Sequence, residues 1–405
     1  MHVALWAIRW FVCSIQQLKI NFRLARLSIA SFNVLNLKTD SKSVGNAAFK
    51  QEKVKRIASM IREHRFDIVA LQEIQSDDSV CQIVNALNQG GVTYKYRHCN
   101  SIYEDLSGDF EFKAGIHSEL AFIWDTRSVE LDEDLVVYKG IHDRLLRALD
   151  AFVSSATLWI VALLSAGAVA LGGKDEDRGD EGTQKKLKGA SKVMGGGALL
   201  AGGIGTAAHF ELRDEIEGVL RNTLRPPLVG LFRRVGTGAS SNTQIRVINV
   251  HAQFGKTKYD KIGGVKLRKL EIGFVLGDLF EIVDSQTSGE HLTPRTIVAG
   301  DFNLSLANVK SVIEKLKGRE QLTASQGAKT TLTLVNRKEV EKENKAPEYA
   351  VASDYDHFVF RSDCWNEKEA RPVRDDDILF VGKRGSRDYK PISDHYPIEI
   401  TTEKI

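Results

Sequence analysis

Cysteine and proline are both scarce, since the chain of 405 residues contains four cysteines and seven prolines. The cysteines are far apart, and no pair of them has the close Cys–Cys or Cys–His spacing of a zinc site. This scarcity argues against a disulfide framework and predicts reduced thiols without a chemical role, which is compatible with an intracellular location. The cysteines are Cys13, Cys81, Cys99 and Cys364.

Acidic residues are missing from the N-terminal segment, because none occurs before Asp40. The segment opens with MHVALWAIRWFVCSI, an apolar stretch that Arg9 interrupts. It lacks both the leading positive charge and the small-residue cleavage site of a secretory signal. We therefore treat residues 1–26 as an apolar and basic extension, which is either an interfacial helix or the product of a start codon placed too far upstream. The net charge of +3 over the whole chain decides nothing about nucleic acid.

Polar groups stand near the ends of segments that otherwise have the pattern of β-strands, among them RLSIASFNVLNL, FDIVALQEIQS and RTIVAGDFNLSL. One such residue is ordinary at a strand end. A whole set of ionisable groups at one rim is costly unless its members pair or hold a metal ion. This oxygen-rich set with two histidines suits a hard cation such as Mg²⁺ better than zinc. It comprises Asn33, Glu73, Glu119, His251, Asp301, Asn303, Asp356, Asp394 and His395.

Such a set fits the hydrolysis of phosphate esters. A Mg²⁺ ion offsets phosphate charge, a carboxylate–histidine pair can orient or activate water, and amide or imidazole groups can donate hydrogen bonds to the nonbridging oxygens. Between the strands, the apolar spacing predicts helices over 48–65, 262–284 and 307–317, and the charged stretch 335–350 is expected to be a surface loop.

The motifs SFNV, ALQEI, NVHAQFG, AGDFN, YDHFVF and SDHYPI resemble, in this order, those of the endonuclease/exonuclease/phosphatase superfamily. Its members include DNase I-like nucleases, abasic-site endonucleases, inositol polyphosphate 5-phosphatases and neutral sphingomyelinases. The resemblance covers roughly 27–140 and 223–403, and we assign 27–140 and 223–405 to one catalytic domain. It implies an α/β fold, namely a DNase I-like four-layer α/β sandwich of two packed mixed β-sheets flanked by helices, with the active site at one edge.

The resemblance also implies roles for individual residues. Glu73 is the principal metal ligand, assisted by Asn33 and Asp394, and the ion is Mg²⁺, with Mn²⁺ as a substitute. Which group is the general base stays open. The remaining matched positions are catalytic: His251 with its acidic partner Glu119, the pair Asp301 and Asn303 that positions water and phosphate, and His395 oriented by Asp356.

Two departures from the family patterns bear on the substrate. In DNase I-like proteins an arginine often follows the aspartate that Asp356 matches, whereas His357 stands here. The 5-phosphatases usually carry Tyr-Arg after their GDxN motif, whereas Leu304 and Ser305 follow it here, and they carry Cys-Asp-Arg where this chain has YDHF. Inositol phosphate is therefore disfavoured.

The resemblance is interrupted by residues 141–222, which contain two uncharged runs at 151–173 and 193–210. The first run has the length of a membrane-spanning helix, about 20 residues, and both runs carry small residues at four-residue spacing. Both ends of the insertion join one domain, so a membrane could be crossed twice but not once. A transmembrane helical hairpin is favoured, while a soluble or interfacial hairpin and a glycine-rich flexible linker stay open.

These observations predict a Mg²⁺-dependent phosphodiesterase, most simply a DNase I-like nuclease acting on DNA or RNA. It would be associated with a membrane and would have its catalytic domain in the cytoplasm, although a soluble cytoplasmic enzyme stays open. A sphingomyelinase-like phosphodiesterase acting on phospholipid is the alternative, and a non-catalytic binding protein is the third reading. The basic stretch 255–271 could contact a phosphate backbone or be the solvated face of a helix. The oligomeric state is not determined.

Overall fold

The structure is a computed structural model, and the parts it describes are interrupted by several gaps. The predicted insertion 141–222 and residues 1–25 of the predicted extension lie outside the described residues, so the expectations for both stay predictions. Contacts divide the chain into Met1–Ile141 with Arg225–Ile405 as one unit and His142–Leu224 as another, and every described residue belongs to the first. The described residues are 26–39, 47–89, 91, 93–99, 120–137, 226–236, 244–252, 264–280, 295–316, 318–319, 321–325, 329–343, 345–362 and 370–403.

Two six-stranded mixed sheets form the centre of the described fold. In the first sheet β1 pairs in parallel with β2 and antiparallel with the C-terminal strand β16. In strand order this sheet is β13, β16, β1, β2, β4, β3. Its strands are β1 (Arg26–Leu37), β2 (Ile68–Ile74), β3 (Tyr94–His98), β4 (Leu120–Asp125), β13 (Arg371–Pro372) and β16 (Ile398–Glu403).

The second sheet has the order β5, β6, β7, β8, β12, β9. Its central pair β7 and β8 is parallel, and β12 runs antiparallel to β8, so the start of β12 lies beside the end of β8. The strands are β5 (Val129–Val137), β6 (Leu228–Arg234), β7 (Gln244–His251), β8 (Arg295–Asp301), β9 (Leu322–Ala324) and β12 (Asp356–Arg361).

Helices and two short hairpins complete the described part of the chain. The hairpin strands β10 and β11 pair with each other, as do β14 and β15. These strands are β10 (Thr331–Leu334), β11 (Tyr349–Ser353), β14 (Phe380–Val381) and β15 (Lys390–Pro391). The helices are α1 (Ala47–His64), α2 (Asp77–Asn88), α3 (Gly264–Phe274), which continues as a π-helical turn over Val275–Leu279, α4 (Leu306–Ile313), α5 (Arg337–Glu343) and α6 (Asp376–Leu379).

Both faces of the first sheet are buried, which explains the long apolar runs in its strands. Ile29 of β1 and Ile68 of β2 pack between the two sheets with Phe122, Phe232 and further apolar side chains. The alternate residues of the same strands pack in a second core against α1 and α2. On the side of the second sheet, α4 contacts both α3 and β9. The predicted fold class, a sandwich of two sheets flanked by helices, is confirmed.

The charged stretch 335–350 differs from its prediction as a surface loop. It contains α5, and the following residues begin β11, which pairs with β10. None of the residues of α5 is buried. An exposed helix has no apolar stripe for sequence reasoning to find, which is why this element was missed.

Candidate active site

Four strands each carry a predicted site residue on the face that points into the space between the two sheets. Side chains on a strand alternate between its faces, so every second residue belongs to one row. Each row is apolar in the middle of the sandwich and polar at one end. The polar ends of β7, β8 and β12 meet because β7 and β8 are parallel and β12 is antiparallel to them. Asn33 of β1 joins them through its hydrogen bond to Asp301. The rows are Ile29, Ser31 and Asn33 on β1, Val247, Asn249 and His251 on β7, Ile297, Ala299 and Asp301 on β8, and Phe360, Phe358 and Asp356 on β12.

Glu73 is out of phase with this pattern. Ile68 and Ala70 of its strand enter the inter-sheet space, and Gln72 follows them, donating a hydrogen bond of 2.8 Å to Asn249 of the other sheet. By alternation Glu73 belongs to the helix side, yet its carboxylate lies among the inter-sheet site residues. Its backbone has φ = 60°, in the left-handed region that non-glycine residues rarely adopt. This conformation redirects the chain at the end of β2 and brings the carboxylate to the site.

Asn33 links the carboxylates of the two sheets. Its Nδ2 donates to Glu73 Oε1 at 3.0 Å and to Asp301 Oδ2 at 3.1 Å, while its Oδ1 accepts a hydrogen bond of 3.0 Å from the backbone N–H of Leu35. The second oxygen of Glu73 accepts from the backbone N–H of Asn36 at 2.9 Å. Leu35 and Asn36 both have positive φ, at the irregularity where the pairing of β1 with β2 shifts register. A bulge in β1 thus holds Asn33 and Glu73 against each other.

Lys53 of α1 supports this bulge. Its side chain is buried, and its Nζ donates to the carbonyl oxygen of Leu35 at 2.7 Å. Burial lowers the pKa of the Lys53 ammonium to about 8, against the opposing influence of the Glu73 and Asp394 carboxylates. The buried amine therefore stands under the two acidic groups that were predicted to hold the metal.

His395 is held by a buried carboxylate from the other sheet. Its Nδ1 lies 2.7 Å from Asp356 Oδ2, and Thr330 Oγ1 donates to the same oxygen at 2.5 Å. The Ser393 hydroxyl accepts from the His395 backbone N–H at 3.1 Å and donates to the Asn33 carbonyl at 2.6 Å. These bonds fix the imidazole so that its Nε2 points to Asp301 Oδ2 at 3.7 Å.

His251 faces the same carboxylate from the other side. Its Nε2 lies 3.8 Å from Asp301 Oδ2 and 3.7 Å from Glu73 Oε1. Asp301 is therefore flanked by the Nε2 atoms of two buried imidazoles, at almost equal distances. Glu119, the predicted acidic partner of His251, lies outside the described residues, and that pairing stays a prediction.

Burial and charge shift the proton affinities of this group in opposite senses. Burial raises the pKa of Asp301 to about 7, although His395 opposes the shift. Burial alone would lower the pKa of His395, but the carboxylates of Asp356 and Asp301 outweigh it and raise this pKa to about 10. Near neutral pH, the His395 imidazole is thus a stabilised cation beside a carboxyl group that can both accept and release a proton.

The AGDFN motif has a local structural reason. Gly300 is required because a Cβ atom there would stand 1.9 Å from the Val250 carbonyl oxygen of the neighbouring strand. Beyond it, the Asn303 backbone N–H donates to Asp301 Oδ1 at 2.9 Å, and the Asn303 Nδ2 donates to the Ala252 carbonyl at 2.7 Å. Asn303 has φ = 47°, a conformation that asparagine tolerates better than most residues. The turn therefore holds Oδ1 of the Asp301 carboxylate, while Asn33 of β1 holds Oδ2.

The carboxylates fit a hard divalent cation. Asp394 Oδ1 is buried and accepts no hydrogen bond from any described residue, and burial raises the Asp394 pKa. A buried carboxylate oxygen without a hydrogen-bond donor is unfavourable unless a positive charge compensates it, and His395 Nε2 lies 3.9 Å from this oxygen, too far for a hydrogen bond. Asp301, Asp356 and His395 also place ligand atoms within 4.8 Å of one another. We interpret that group as a carboxylate–imidazole pair, because Asp356 and His395 are hydrogen-bonded to each other. Glu73 and Asp394 are the other described carboxylates that face the two site histidines.

His357 does not enter the site. It lies on the opposite face of β12 from Asp356, is fully buried, and donates from Nε2 to the Leu304 carbonyl at 2.7 Å. Its ring packs edge-on against Phe302 at 5.5 Å between centroids. His357, which stands where DNase I-like proteins often have an arginine, is therefore not part of the catalytic group.

Sequence reasoning missed three residues that shape the site, namely Lys53, Thr330 and Ser393. Lys53 had a detectable signal, because it precedes Ile57 by four positions and so lies on the apolar stripe of α1. Thr330 and Ser393 had none, because a hydroxyl next to a strand end is common and its partner depends on the tertiary fold.

The chain is similar to known proteins in sequence pattern and in fold. A sequence model of the Endonuclease/Exonuclease/phosphatase family matches residues 30–395. No curated protein matches the chain significantly. Solved structures with a similar fold include a family protein from Bacteroides thetaiotaomicron, with 14% identity, 93% of this chain and 97% of the other covered, and a TM-score of 0.47.

Two further structures extend the range of relatives. A mannosyl-6-phosphatase from Bacteroides thetaiotaomicron has 14% identity, with 92% of this chain and 98% of the other covered and a TM-score of 0.47. D. rerio TDP2, complexed with a single-strand DNA product, has 15% identity, with 93% and 98% covered and a TM-score of 0.42. Because the family match spans most of the sequence and includes both ends of the site, this chain belongs to the Endonuclease/Exonuclease/phosphatase family of phosphoric ester hydrolases.

Proposed function

We propose that this protein is a metal-dependent phosphodiesterase that hydrolyses nucleic acid. The observation that carries the proposal is the position of Asp301, whose Oδ2 lies 3.8 Å and 3.7 Å from the Nε2 atoms of His251 and His395. Cleavage of a nucleic-acid diester needs one group that takes a proton from water and others that stabilise charge on the phosphate and the leaving alkoxide. A carboxylate between two imidazoles can supply both functions.

Each residue then has a defined task. Asp301, with its raised pKa, accepts the proton of the attacking water. The His395 imidazolium, held by Asp356, donates to a nonbridging phosphate oxygen, and His251 donates to the phosphate from the opposite side. Asn33 keeps the Asp301 and Glu73 carboxylates at a fixed separation.

Mg²⁺, for which Mn²⁺ could substitute, is the cation that this oxygen-rich site suits best, with Glu73 and Asp394 as its ligands and Asn33 beside them. When bound, the ion neutralises phosphate charge and acts as a Lewis acid. The carboxylate oxygen of Asp394 that accepts no described hydrogen bond supports this assignment.

Nucleic acid is preferred to phospholipid because exposed cations precede the site in sequence. Lys383, Arg384 and Arg387 all lie within twelve residues of His395 and are exposed. A polyanion suits such a group of positive charges better than the single headgroup of a lipid does. Phospholipid remains the alternative substrate to be tested alongside.

Membrane attachment is a separate proposal that rests on the sequence alone. The uncharged runs 151–173 and 193–210 support a helical hairpin that anchors a cytoplasmic catalytic domain. None of the helices in the described part of the chain is long and apolar enough to span a bilayer. Recovery of the full-length protein entirely in the soluble fraction of cells would reject the anchor.

The function is tested by incubating the purified full-length protein with plasmid DNA, RNA and sphingomyelin in parallel, with Mg²⁺ and with EDTA. We expect DNA or RNA to be cleaved with Mg²⁺ only, and Asp301→Asn to be inactive. If only sphingomyelin is cleaved, the substrate is a phospholipid and the nucleic-acid proposal is wrong. Unchanged cleavage in EDTA would contradict the proposed dependence on a metal ion.

A further inference from the structure

Residues 382–391 form an exposed basic loop that we call the basic hairpin. It runs from the end of β14 through β15, and its positive side chains are exposed. Its single acidic residue, Asp388, accepts a hydrogen bond from the Ser386 hydroxyl. Within the described residues, the cations at its tip form no ion pair with a carboxylate. The positive residues are Lys383, Arg384, Arg387 and Lys390.

The backbone of the basic hairpin is held in one shape. Gly382 and Gly385 have φ of 85° and 86°, which only glycine adopts at little cost. A Cβ atom at Gly382 would stand 2.7 Å from the Asp388 carbonyl oxygen, so the two arms of the hairpin approach closely. The ring of Tyr389 stacks on Phe380 with centroids 4.7 Å apart. A ligand would therefore meet cations whose backbone is already ordered, which reduces the entropy lost on binding.

The base of the hairpin lies beside the active site. Pro391 and Asp394 are three positions apart, so their Cα atoms are separated by no more than about 11 Å. Lys390 Nζ sits 3.6 Å from the centre of the Phe49 ring on α1, one helical turn before Lys53. The base of the hairpin is therefore within reach of a polymer that is held in the active site at one phosphate.

The acidic residues next to the hairpin are largely engaged elsewhere. Asp376 accepts a hydrogen bond of 2.8 Å from the Tyr396 hydroxyl, and Asp375 caps α6 by accepting from the Ile378 N–H. Burial raises the pKa of Tyr389 at the base of the hairpin, and the nearby carboxylates of Asp376 and Asp377 raise it further. These aspartates keep their negative charge, but the hairpin itself has four cations and one carboxylate and so carries a net charge of +3.

From these observations we propose that the basic hairpin binds the phosphate backbone of a polynucleotide next to the scissile bond, so that the enzyme favours polymeric over small phosphodiesters. This inference rests on the proposed phosphodiesterase function but makes a separate claim about binding. Each contact with a phosphate displaces condensed counterions, so binding should weaken steeply as salt is added.

The test compares two triple variants of the full-length protein that lose the same charge. The first is Lys383→Ser, Arg384→Ser, Arg387→Ser. The second, the matched control, is Lys310→Ser, Lys315→Ser, Lys338→Ser, which removes exposed lysines on α4, just beyond α4 and on α5. Affinity for a single-stranded DNA oligonucleotide is measured by fluorescence anisotropy in EDTA over a series of salt concentrations. Hydrolysis of bis(p-nitrophenyl) phosphate is measured with Mg²⁺.

We expect the hairpin variant to bind the oligonucleotide ~10-fold more weakly, and the slope of log affinity against log salt to become shallower by about 2, or ~0.7 for each of three lost contacts. Its hydrolysis of the small diester should be unchanged, and the control should match the wild type in both assays. Circular dichroism melting shows whether either variant is folded, and the single variant Lys383→Glu repeats the test if the triple is not.

An unchanged salt slope, or an equal loss in the control, would overturn the hairpin proposal. Loss of binding to phosphatidylserine vesicles with DNA binding intact would also overturn it and would indicate a lipid surface. If the wild type binds DNA through the hairpin but cleaves neither substrate, the proposed phosphodiesterase function fails while the binding claim stands.

Discussion

The two halves of the active site differ in exposure and in the way the backbone builds them. One half, made by Asp301, Asp356 and the two histidines, is buried, and the Asp301 side chain is 2% exposed. The other half, which we call the open half, is more exposed: the side chains of Glu73 and Asp394 are 16% and 45% exposed, although one oxygen of Asp394, Oδ1, is buried. In the buried half, His251, Asp301 and Asp356 continue the regular alternation of their strands, and His395 lies between two strands. The open half depends on a bulge and on a left-handed residue.

This difference suggests a division of labour. Buried groups have perturbed pKa values and low solvent screening, which suits proton transfer and charge stabilisation. Open carboxylates remain accessible to a cation and to substrate. The open half should therefore respond to metal concentration, and the buried half should respond to pH.

The largest expected effect is a loss of activity that added Mg²⁺ partly restores in a variant of the open half but not in a variant of the buried half. His395→Ala should lower kcat/KM on DNA by roughly 10³-fold, because it removes the cation that faces the phosphate. Glu73→Ala should lower it comparably at low Mg²⁺ but recover part of the loss when Mg²⁺ is raised, because one ligand of the ion is missing. Rates measured over a Mg²⁺ series decide this. Equal rescue of both variants would remove the distinction, and Lys338→Ala on the exposed helix α5 serves as the control.

A smaller effect is expected from the support beneath the open half. Lys53→Met leaves the Leu35 carbonyl without its donor, which should destabilise the fold by about 1–3 kcal/mol and loosen the bulge that holds Glu73. We expect kcat to fall by roughly 10-fold, with partial recovery in Lys53→Arg, which keeps a charged donor. Thermal melting and steady-state kinetics are measured together. A lower melting temperature with unchanged kcat would show that Lys53 has no influence on the site.

The smallest effect concerns the stability of the metal-free protein. The pKa of Asp301 is raised from 3.8 to about 7, so the folded protein binds more protons than the unfolded chain between these pH values. Its contribution to stability is therefore present at low pH and is lost as pH rises through this window. In EDTA, the melting temperature of the wild type should fall relative to that of Asp301→Asn between about pH 4 and pH 7. Parallel curves for the two proteins would contradict the raised pKa.

The buried half was largely predictable from the sequence. Its three strand residues, His251, Asp301 and Asp356, stand at even spacing from apolar residues of the same strand, as Asp301 does from Ala299 and Ile297. That spacing assigns them to the inter-sheet face once the strands are recognised. The family resemblance then supplied the order of the motifs and so the placement of strands that are far apart in sequence.

The open half was predictable in its members but not in its construction. Alternation alone puts Glu73 on the wrong face of β2, and only the left-handed backbone corrects it. Lys53 differs from the exposed Lys55 of α1 by its place on the apolar stripe, but only the fold shows that its amine binds the Leu35 carbonyl. The short strands β13 to β15 were missed because they are two residues long and are defined by their partners.

The left-handed conformation of Glu73 also bears on how this enzyme would respond to artificial evolution. A non-glycine residue at φ = 60° costs of order 1–2 kcal/mol. A library of variants screened for heat resistance alone would therefore enrich glycine at position 73 and discard the carboxylate. If glycine is enriched under this screen and glutamate returns when catalytic activity is also required, then stability and catalysis favour different residues at position 73.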